Sequence, residues 1–230
     1  MLLKKWEDLP DFMKNDEVKV YYDILNKKRF SLILKRIFDI VMSMLMIILV
    51  SPIIIILSIL IKIDSRGPIF YKQERITQYG KEFHILKFRT MVVEADKVGS
   101  LITEKNDKRI TRMGMKIRKC RLDELPQLIN VLIGDMSFVG TRPEVKKYVM
   151  EYSHKMKATL LLPAGITSLA SIEYRDEDGI LEALLQKGKT VEDIYIQDIL
   201  PDKMEYNLNY IENYRFVKDI QICFYTVIRV

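Results

Sequence analysis

The 230-residue sequence contains only two cysteines, Cys120 and Cys223. Two cysteines cannot build a disulfide scaffold, and neither stands in a CxxC or Cys/His spacing that would hold zinc. The sequence has no internal repeat or low-complexity stretch, and 49% of its residues are hydrophobic, which excludes a disordered or fibrous chain. Its formal net charge of +6 is too small to indicate nucleic acid binding by itself. These features favour one folded domain in a reducing compartment.

Charge is also lacking from residues 40–61, a run of 22 residues without a charged side chain. A helix rises about 1.5 Å per residue, so this run would extend about 33 Å, which matches the hydrocarbon thickness of a bilayer. The run begins too far from Met1 for the core of a secretory signal peptide, and no small-residue cleavage site follows it. The sequence therefore predicts a protein that is embedded in or bound to a membrane.

Two features bear on how this run lies in the membrane. Ser51 and Pro52 stand near its middle, and the proline removes one helical N–H and leaves the Ile48 carbonyl without its usual donor. Both flanks are basic, and positive charge marks the cytoplasmic side of a segment. These features favour a helix–break–helix hairpin with two arms of about 11 residues that enters one leaflet. On the residues alone, a kinked helix that spans the bilayer is the alternative.

The rest of the sequence predicts a mostly α-helical domain with one small β-hairpin. Residues 68–71 and 83–88 read as strands on either side of a polar stretch that contains Gly80. Apolar residues at three- and four-residue spacing over residues 122–132 predict an amphipathic helix that Gly134 ends. Further helices are expected over residues 143–155, 190–199, 201–213 and 215–229.

Two groups of apolar side chains allow more than one interpretation. The segment 1–26 carries aromatic residues that could anchor it at a membrane interface, although a surface tail is an equally good interpretation. Its aromatic residues are Trp6, Phe12, Tyr21 and Tyr22. Near the C-terminus an apolar stripe recurs every four residues, and we expect it in the core, with an interfacial helix as the alternative. Its members are Phe216, Ile220, Phe224 and Ile228.

The residues best suited to chemistry are two adjacent carboxylates, Asp123 and Glu124, which follow the basic residues Arg118 and Arg121. Neighbours inside a helix do not face each other, but at a helix start both carboxylates can approach one metal or phosphate group. Diphosphate chemistry needs this set, because Mg²⁺ and guanidinium groups neutralise phosphate oxygens and leave a carboxylate free to attack phosphorus. For any single charge, a solvated salt bridge is the alternative. Further candidates for phosphate binding are Lys87, Arg89 and Arg142.

Taken in order, these segments closely resemble the bacterial sugar transferase family, the monotopic phosphoglycosyl transferases that begin lipid-linked glycan assembly. The likeness rests on the basic–apolar hairpin, Leu-Lys-Phe-Arg-Thr-Met at 86–91, Leu-Asp-Glu-Leu-Pro-Gln at 122–127 and Gly-Thr-Arg-Pro-Glu at 140–144. It extends from about Lys35 to Arg175 and more weakly to the C-terminus. Family members transfer a sugar-1-phosphate from a UDP-sugar to a polyprenyl phosphate such as undecaprenyl phosphate, release UMP and need Mg²⁺.

The resemblance implies a role for each candidate residue. Asp123 would be the nucleophile that forms a phosphosugar–aspartyl intermediate, and Glu124 would hold Mg²⁺ next to Asp123. Arg118 would help to bind the polyprenyl phosphate. Residues 162–169 and Arg175 lie where family members are thought to recognise the nucleotide-sugar, and the identity of the sugar stays open. Expected contacts to the phosphates come from Lys87, Arg89 and Arg142.

The resemblance also implies a re-entrant membrane helix broken at Ser51-Pro52. We therefore expect an N-terminal cytoplasmic tail over 1–26, a re-entrant hairpin over 27–66 and a cytoplasmic catalytic domain with interfacial helices over 67–230. The expected location is the cytoplasmic face of a bacterial inner membrane, where membrane lipid and downstream glycosyltransferases are partners and nucleic acid is not. Two alternatives remain: a catalytically silent, membrane-anchored scaffold of the same family, and a peripheral binder of anionic lipid or nucleic acid.

Overall fold

The structure, a computed structural model, describes residues 3–95, 107–174 and 190–229. Within these residues the chain is mostly helical, as predicted, and two small sheets accompany the helices. The α-helices are α1 (Asp16–Asn26), α2 (Arg29–Asp64), α3 (Arg112–Lys119), α4 (Gln127–Ile133), α5 (Lys146–Met150), α6 (Leu169–Glu173), α7 (Val191–Ile194), α8 (Leu200–Glu212) and α9 (Phe216–Arg229). The strands are β1 (Phe70–Ile76), β2 (Glu82–Phe88), β3 (Met136–Val139) and β4 (Ala164–Thr167).

The long helix α2 continues through Pro52 without a gap and has 36 residues. The hydroxyl of Ser51 donates a 2.8 Å hydrogen bond to the carbonyl of Ile48. That carbonyl is the one that proline leaves without a backbone donor. The predicted break at Ser51-Pro52 is therefore not an interruption of the helix, because a neighbouring side chain replaces the missing hydrogen bond. The re-entrant course of the segment through a membrane stays a prediction.

Most of the α2 surface is apolar and exposed. Ile48, Leu49 and Ile63 have exposed fractions of 66%, 78% and 77%. Among the residues that the structure describes, α2 is the one helix that is long and apolar enough to cross a membrane. Water-soluble monomers seldom expose so large an apolar surface.

Polar contacts hold the N-terminal half of α2 to the domain. Lys35 is 1% exposed, donates a 2.7 Å hydrogen bond to the Val139 carbonyl and forms a 2.9 Å ion pair with Asp219 of α9. Asp39, also buried, accepts hydrogen bonds from the Ser137 hydroxyl and the Phe138 N–H, both at 3.1 Å. These contacts join α2 to β3 and α9.

The segment before α2 is not a surface tail, so that prediction is wrong. Its apolar side chains enter the main hydrophobic core, which α8 and the turn Met156–Leu161 also build. Tyr21 and Tyr22 are each only 4% exposed, so they are core residues and do not anchor the segment at an interface. The sequence does not predict this packing, because residues 1–26 mix charged and apolar side chains without a clear helical periodicity. The other buried members of this segment are Leu3, Leu9, Met13, Val18 and Leu25.

The predicted β-hairpin is confirmed, since β1 and β2 pair in antiparallel register with Tyr71 opposite Lys87. The predicted helix over 122–132 is a short 3₁₀ turn, Leu122–Glu124, followed by α4. Pro126 separates the two because its ring carries no N–H to continue the first turn. The helix expected over 143–155 is limited to α5.

One side chain of α4 ties the helix to the hairpin. Asn130 Oδ1 accepts a hydrogen bond from the Leu86 N–H, and its Nδ2 donates to the His84 carbonyl, both at 2.9 Å. The Asn130 amide thus makes two hydrogen bonds to the β2 backbone of the kind that a neighbouring strand would make, immediately before Lys87. A second sheet, the parallel pair β3–β4, was not predicted.

Helices α7 and α9 fall within the predicted C-terminal ranges, and α8 begins one residue before its predicted range of 201–213. The core position that we expected for the stripe on α9 is wrong, because Ile220, Phe224 and Ile228 have exposed fractions of 40%, 63% and 63%. Phe216 contacts Phe38 of α2, with ring centroids 5.7 Å apart. The exposed side of α9 therefore continues the apolar surface of α2, which fits the alternative of an interfacial helix.

We predict that Ser51→Ala destabilises the protein more than Ser58→Ala. Loss of the Ser51 hydroxyl leaves the Ile48 carbonyl without a donor, which costs about 1–3 kcal/mol in an apolar environment. The Ser58 hydroxyl donates to Ile54, whose carbonyl keeps a backbone N–H donor. For a chain of this size each kcal/mol corresponds to about 2–4 °C in Tm. Thermal unfolding in lipid nanodiscs measures the difference, and equal Tm values for the two variants would contradict the prediction.

Candidate active site

The two adjacent carboxylates lie in a tight turn between α3 and α4. Arg121 has a left-handed backbone with φ of 52°, an uncommon conformation for a residue other than glycine, and it reverses the chain after α3. Asp123 and Glu124 then follow in the 3₁₀ turn. Their side chains leave this turn in different environments. The pair therefore consists of two chemically distinct carboxylates.

Glu124 is an ion-pair centre. Its Oε1 lies 2.8 Å from Arg142 Nη2 and 3.5 Å from Lys87 Nζ. Burial opposes ionisation of this carboxyl, but the charges of Arg142, Lys87 and Arg121 outweigh it and lower the pKa of Glu124 to about 2. Burial in turn lowers the pKa of Lys87, although Glu124 opposes that shift. Glu124 is therefore ionised at neutral pH and pairs with two cations from separate elements.

Asp123 borders a cavity of about 530 Å³, together with Lys87 and Arg118. Burial and the neighbouring charge of Glu124 raise the pKa of Asp123, while Lys87 and Arg118 oppose the shift. Two carboxylates whose environments move their pKa values apart are typical of sites that give them different roles. Asp123 is the carboxylate that a molecule in the cavity can reach.

Arg75 of β1 also lines this cavity, and sequence reasoning missed it as a site residue. Its Nη2 and Nε donate to Gln73 Oε1 at 2.8 and 3.2 Å, and its Nη1 lies 3.8 Å from Glu144 Oε2. In the sequence, Arg75 is one of several basic residues that follow the apolar run. Arg75 lies on β1 beyond the predicted strand over 68–71, and it reaches the cavity because β1 pairs with β2, the strand that carries Lys87.

The other predicted ligands fall into separate groups. Arg118 lines the cavity, as a phosphate contact would require, whereas Arg142 does not line it and pairs with Glu124. Arg89 borders the cavity too, but its Nη2 donates to the carbonyl and hydroxyl of Ser65 at 2.7 and 2.8 Å. Its Nε and Nη1 are buried and make no hydrogen bond within the described residues. Arg175 lies outside the described residues, so its predicted role stays a prediction.

The stretch 162–169, expected near the nucleotide-sugar, contains β4, which pairs with β3 in the interior of the domain. Ala164, Thr167 and Ser168 are at most 7% exposed. Gly165 packs directly on Gly140, where neither position has room for a Cβ atom. This part of the stretch therefore packs against the Gly-Thr-Arg-Pro-Glu segment, and its role in recognising the nucleotide-sugar stays a prediction.

The carboxylates of this site suit a Mg²⁺ ion that is held partly by the protein and partly by substrate phosphates. Within the described residues no group of three or more His, Cys, Asp or Glu side chains could enclose a metal ion. Mg²⁺ is commonly held by one or two carboxylates and completes its shell with substrate phosphates and water. Asp123 and Glu124 supply that number of carboxylates, so the donor set fits an ion that arrives with a phosphate-bearing substrate.

Known proteins with similar sequences identify the family. A family model described as bacterial sugar transferase matches residues 30–230. An Aeromonas hydrophila protein named UDP-N-acetylgalactosamine-undecaprenyl-phosphate N-acetylgalactosaminephosphotransferase is 32% identical over 74% of this chain and 37% of its own length. The UDP-glucose:undecaprenyl-phosphate glucose-1-phosphate transferase of Escherichia coli (strain K12) is 36% identical over 75% of this chain and 35% of its own length. The protein of the same name from Xanthomonas campestris pv. campestris is 35% identical over 76% of this chain and 34% of its own length.

The chain therefore belongs to the bacterial sugar transferase family, as its motifs predicted. It spans about a third of the length of these three relatives. The family model begins at residue 30, so α1 lies outside the matched range.

We predict that Arg89→Lys lowers Tm and leaves the affinity for UDP nearly unchanged. A single ammonium group cannot reproduce the planar guanidinium that binds both oxygens of Ser65. Loss of one such hydrogen bond costs about 1 kcal/mol, or about 2–4 °C in Tm. Thermal unfolding and calorimetric titration with UDP measure the two quantities, and Arg142→Lys is the matched control at the ion-pair centre. A larger loss of UDP affinity in Arg89→Lys than in Arg142→Lys would support the phosphate contact instead.

Proposed function

We propose that the protein transfers a sugar-1-phosphate from a UDP-sugar to undecaprenyl phosphate or a similar polyprenyl phosphate, and releases UMP. The observation that carries this proposal is the cavity in which the Asp123 carboxylate lies among Lys87, Arg75 and Arg118. Cations bind diphosphate oxygens, while the carboxylate faces the same space as a nucleophile. The names of the relatives, which join UDP-sugars to undecaprenyl phosphate, support the same reaction.

In the first step, an Asp123 carboxylate oxygen attacks the β-phosphorus of the UDP-sugar. A bond forms between that oxygen and phosphorus, and the bond from the β-phosphorus to the bridging oxygen breaks, so UMP leaves with the electron pair. The product is a phosphosugar–aspartyl intermediate. The cations around the cavity stabilise the negative charge that moves to the leaving phosphate.

In the second step, a phosphate oxygen of the polyprenyl phosphate attacks the phosphorus of the intermediate. The bond to Asp123 breaks, which returns the carboxylate and gives a polyprenyl-diphosphate-sugar. A covalent intermediate allows two bulky anionic substrates to use one phosphate site in turn. Mg²⁺, bound by Glu124 and Asp123, would supply positive charge to the diphosphate. The ion pairs of Glu124 keep Lys87 and Arg142 oriented in both steps.

The surroundings of the cavity suit a lipid acceptor. Phe70, Val92 and Val93 line one side of the cavity and are 38%, 49% and 53% exposed. They lie close to the C-terminal end of α2, where Arg89 holds Ser65. An acceptor whose chain stays in the membrane can thus bring its phosphate to Asp123 from the lipid side.

We propose further that α2 enters and leaves the same leaflet. Arg36 donates hydrogen bonds of 2.7 and 2.9 Å to the Val131 and Leu132 carbonyls. At the other end, Leu57 and Ile61 join Phe88 in one hydrophobic cluster. A straight helix of this length would extend about 54 Å. Yet its first half contacts α4 and its second half contacts β2, two elements that the Asn130 side chain holds together. These contacts support a bent α2. The basic flanks of the apolar run, which mark a cytoplasmic side, support a domain on the cytoplasmic face of a bacterial inner membrane.

Loss of the nucleophile tests the reaction. We expect Asp123→Asn to abolish UMP release from every UDP-sugar, with undecaprenyl phosphate and Mg²⁺ present, while Tm stays within a few degrees of wild type. A panel of UDP-sugars assayed with the wild type identifies the sugar, and mass spectrometry of Asp123 detects the adduct. Retained turnover in Asp123→Asn would remove the covalent mechanism.

Glu124→Gln provides the matched comparison at the adjacent position. It keeps the shape of the side chain but removes the charge that holds Lys87 and Arg142, so we expect lower kcat and a weaker response to Mg²⁺. An unchanged Mg²⁺ titration would contradict its role as a metal ligand. A wild type that folds but releases no UMP with any donor would favour the silent scaffold.

The topology is tested by labelling Lys27→Cys and Arg66→Cys, one at a time, in a background without Cys120 and Cys223. We expect a membrane-impermeant maleimide to label both positions in inverted membrane vesicles and neither in intact spheroplasts, because the two ends of α2 share one side. Labelling of the two positions from opposite sides would show that α2 spans the membrane.

A further inference from the structure

Glu144 connects the cavity to a residue outside the family motifs quoted above. Its carboxylate is buried, and each oxygen has a different neighbour. Oε1 accepts a 2.6 Å hydrogen bond from the hydroxyl of Tyr195, and Oε2 lies 3.8 Å from Nη1 of Arg75. The chain Tyr195–Glu144–Arg75 therefore runs from the interior of the domain to the lining of the active-site cavity.

The position of Tyr195 is well defined. It opens a π-helical turn, Tyr195–Ile199, that joins α7 to α8 and widens the helix at this point. Its ring is 7% exposed and packs on the ring of Tyr148, with centroids 4.7 Å apart. Lys203 Nζ lies 5.4 Å from the Tyr195 ring centroid. π-Helical turns are often found at functional sites, and here the turn directs a hydroxyl to Glu144.

The hydrogen bond from Tyr195 limits what Glu144 can do to Arg75. The Nε and Nη2 of Arg75 donate to Gln73, and its Nη1 donates a 3.4 Å hydrogen bond to the Pro143 carbonyl and faces Glu144. The bond from Tyr195 holds Oε1 toward the interior of the domain, so Oε2 is the oxygen that approaches the guanidinium, at a distance longer than a hydrogen bond. Without the hydroxyl, both oxygens can turn to Arg75 and form the bidentate pair that guanidinium and carboxylate prefer. That pairing would draw Arg75 away from the cavity.

We propose that Tyr195 is a positioning residue that acts through Glu144 to keep the Arg75 guanidinium available to the diphosphate of the nucleotide-sugar donor. This inference rests on the proposed function. Tyr195 itself does not line the cavity, so its effect on the ligand passes through the other two side chains. The inference assigns a role in donor binding to the C-terminal part of the chain, which supplies no residue to the lining of the cavity among the described residues.

The test compares Tyr195→Phe with Tyr148→Phe. The first variant removes the hydroxyl that is bonded to Glu144. The second removes a hydroxyl from the neighbouring ring of Tyr148 and leaves the bond between Tyr195 and Glu144 in place. One hydrogen bond is worth about 1 kcal/mol, or about fivefold in affinity. We expect Tyr195→Phe to raise the Kd for UDP and the KM for the UDP-sugar by about fivefold, with kcat changed less than twofold. Tyr148→Phe should leave both constants near those of the wild type.

A double-mutant cycle with Arg75→Lys separates positioning from general destabilisation. If Tyr195 acts through Arg75, Tyr195→Phe adds no further loss of UDP affinity in the Arg75→Lys background. A full fivefold loss in that background, or an unchanged Kd in Tyr195→Phe alone, would overturn the inference. A wild type that binds UDP and releases UMP, with no effect of Tyr195→Phe, rejects only this inference. A wild type that does neither rejects the proposed function itself.

Discussion

The buried charge of Glu124 is the constraint on which the site depends. A carboxylate with little access to water needs cations close by, and these come from β2, which supplies Lys87, and from the segment after β3, which supplies Arg142. The turn that carries Glu124 must therefore meet both elements. That meeting fixes the direction of Asp123 into the cavity, because Asp123 precedes Glu124 in the same short turn. Charge compensation at one residue thus orients its neighbour.

Strand β2 also links the turn that carries Glu124 to the apolar helix α2. Three consecutive residues of β2 and its end have different partners: Lys87 binds Glu124, Phe88 packs with Ile61 of α2, and Arg89 binds Ser65 after α2. Asn130 closes the edge of β2 just before them. The position of the helix that would meet lipid and the position of a cavity cation are therefore set by one short piece of backbone. Their distance cannot change unless β2 itself moves.

The sequence was informative where function requires residues close together in the chain. Asp123, Glu124 and the turn that carries them belong to one contiguous motif, and the hairpin with Lys87 follows from strand-like runs around Gly80. It was less informative where a role depends on tertiary packing. Arg75 acquires its place only when β1 pairs with β2, and the ring of Tyr22 is buried by elements far along the chain. Local patterns contain no record of such partners.

The ion pair between Lys35 and Asp219 has a consequence for synthesis of the protein. The two residues are 184 positions apart, so Lys35 leaves the ribosome long before its partner exists. At about 5–20 residues per second, the delay is on the order of 10–40 s. During that interval the neighbouring carboxylate available to the ammonium group is that of Asp39, one turn further along the same helix. The ion pair that joins α2 to α9 therefore forms only after 184 further residues have been synthesised, which makes it a late contact in folding.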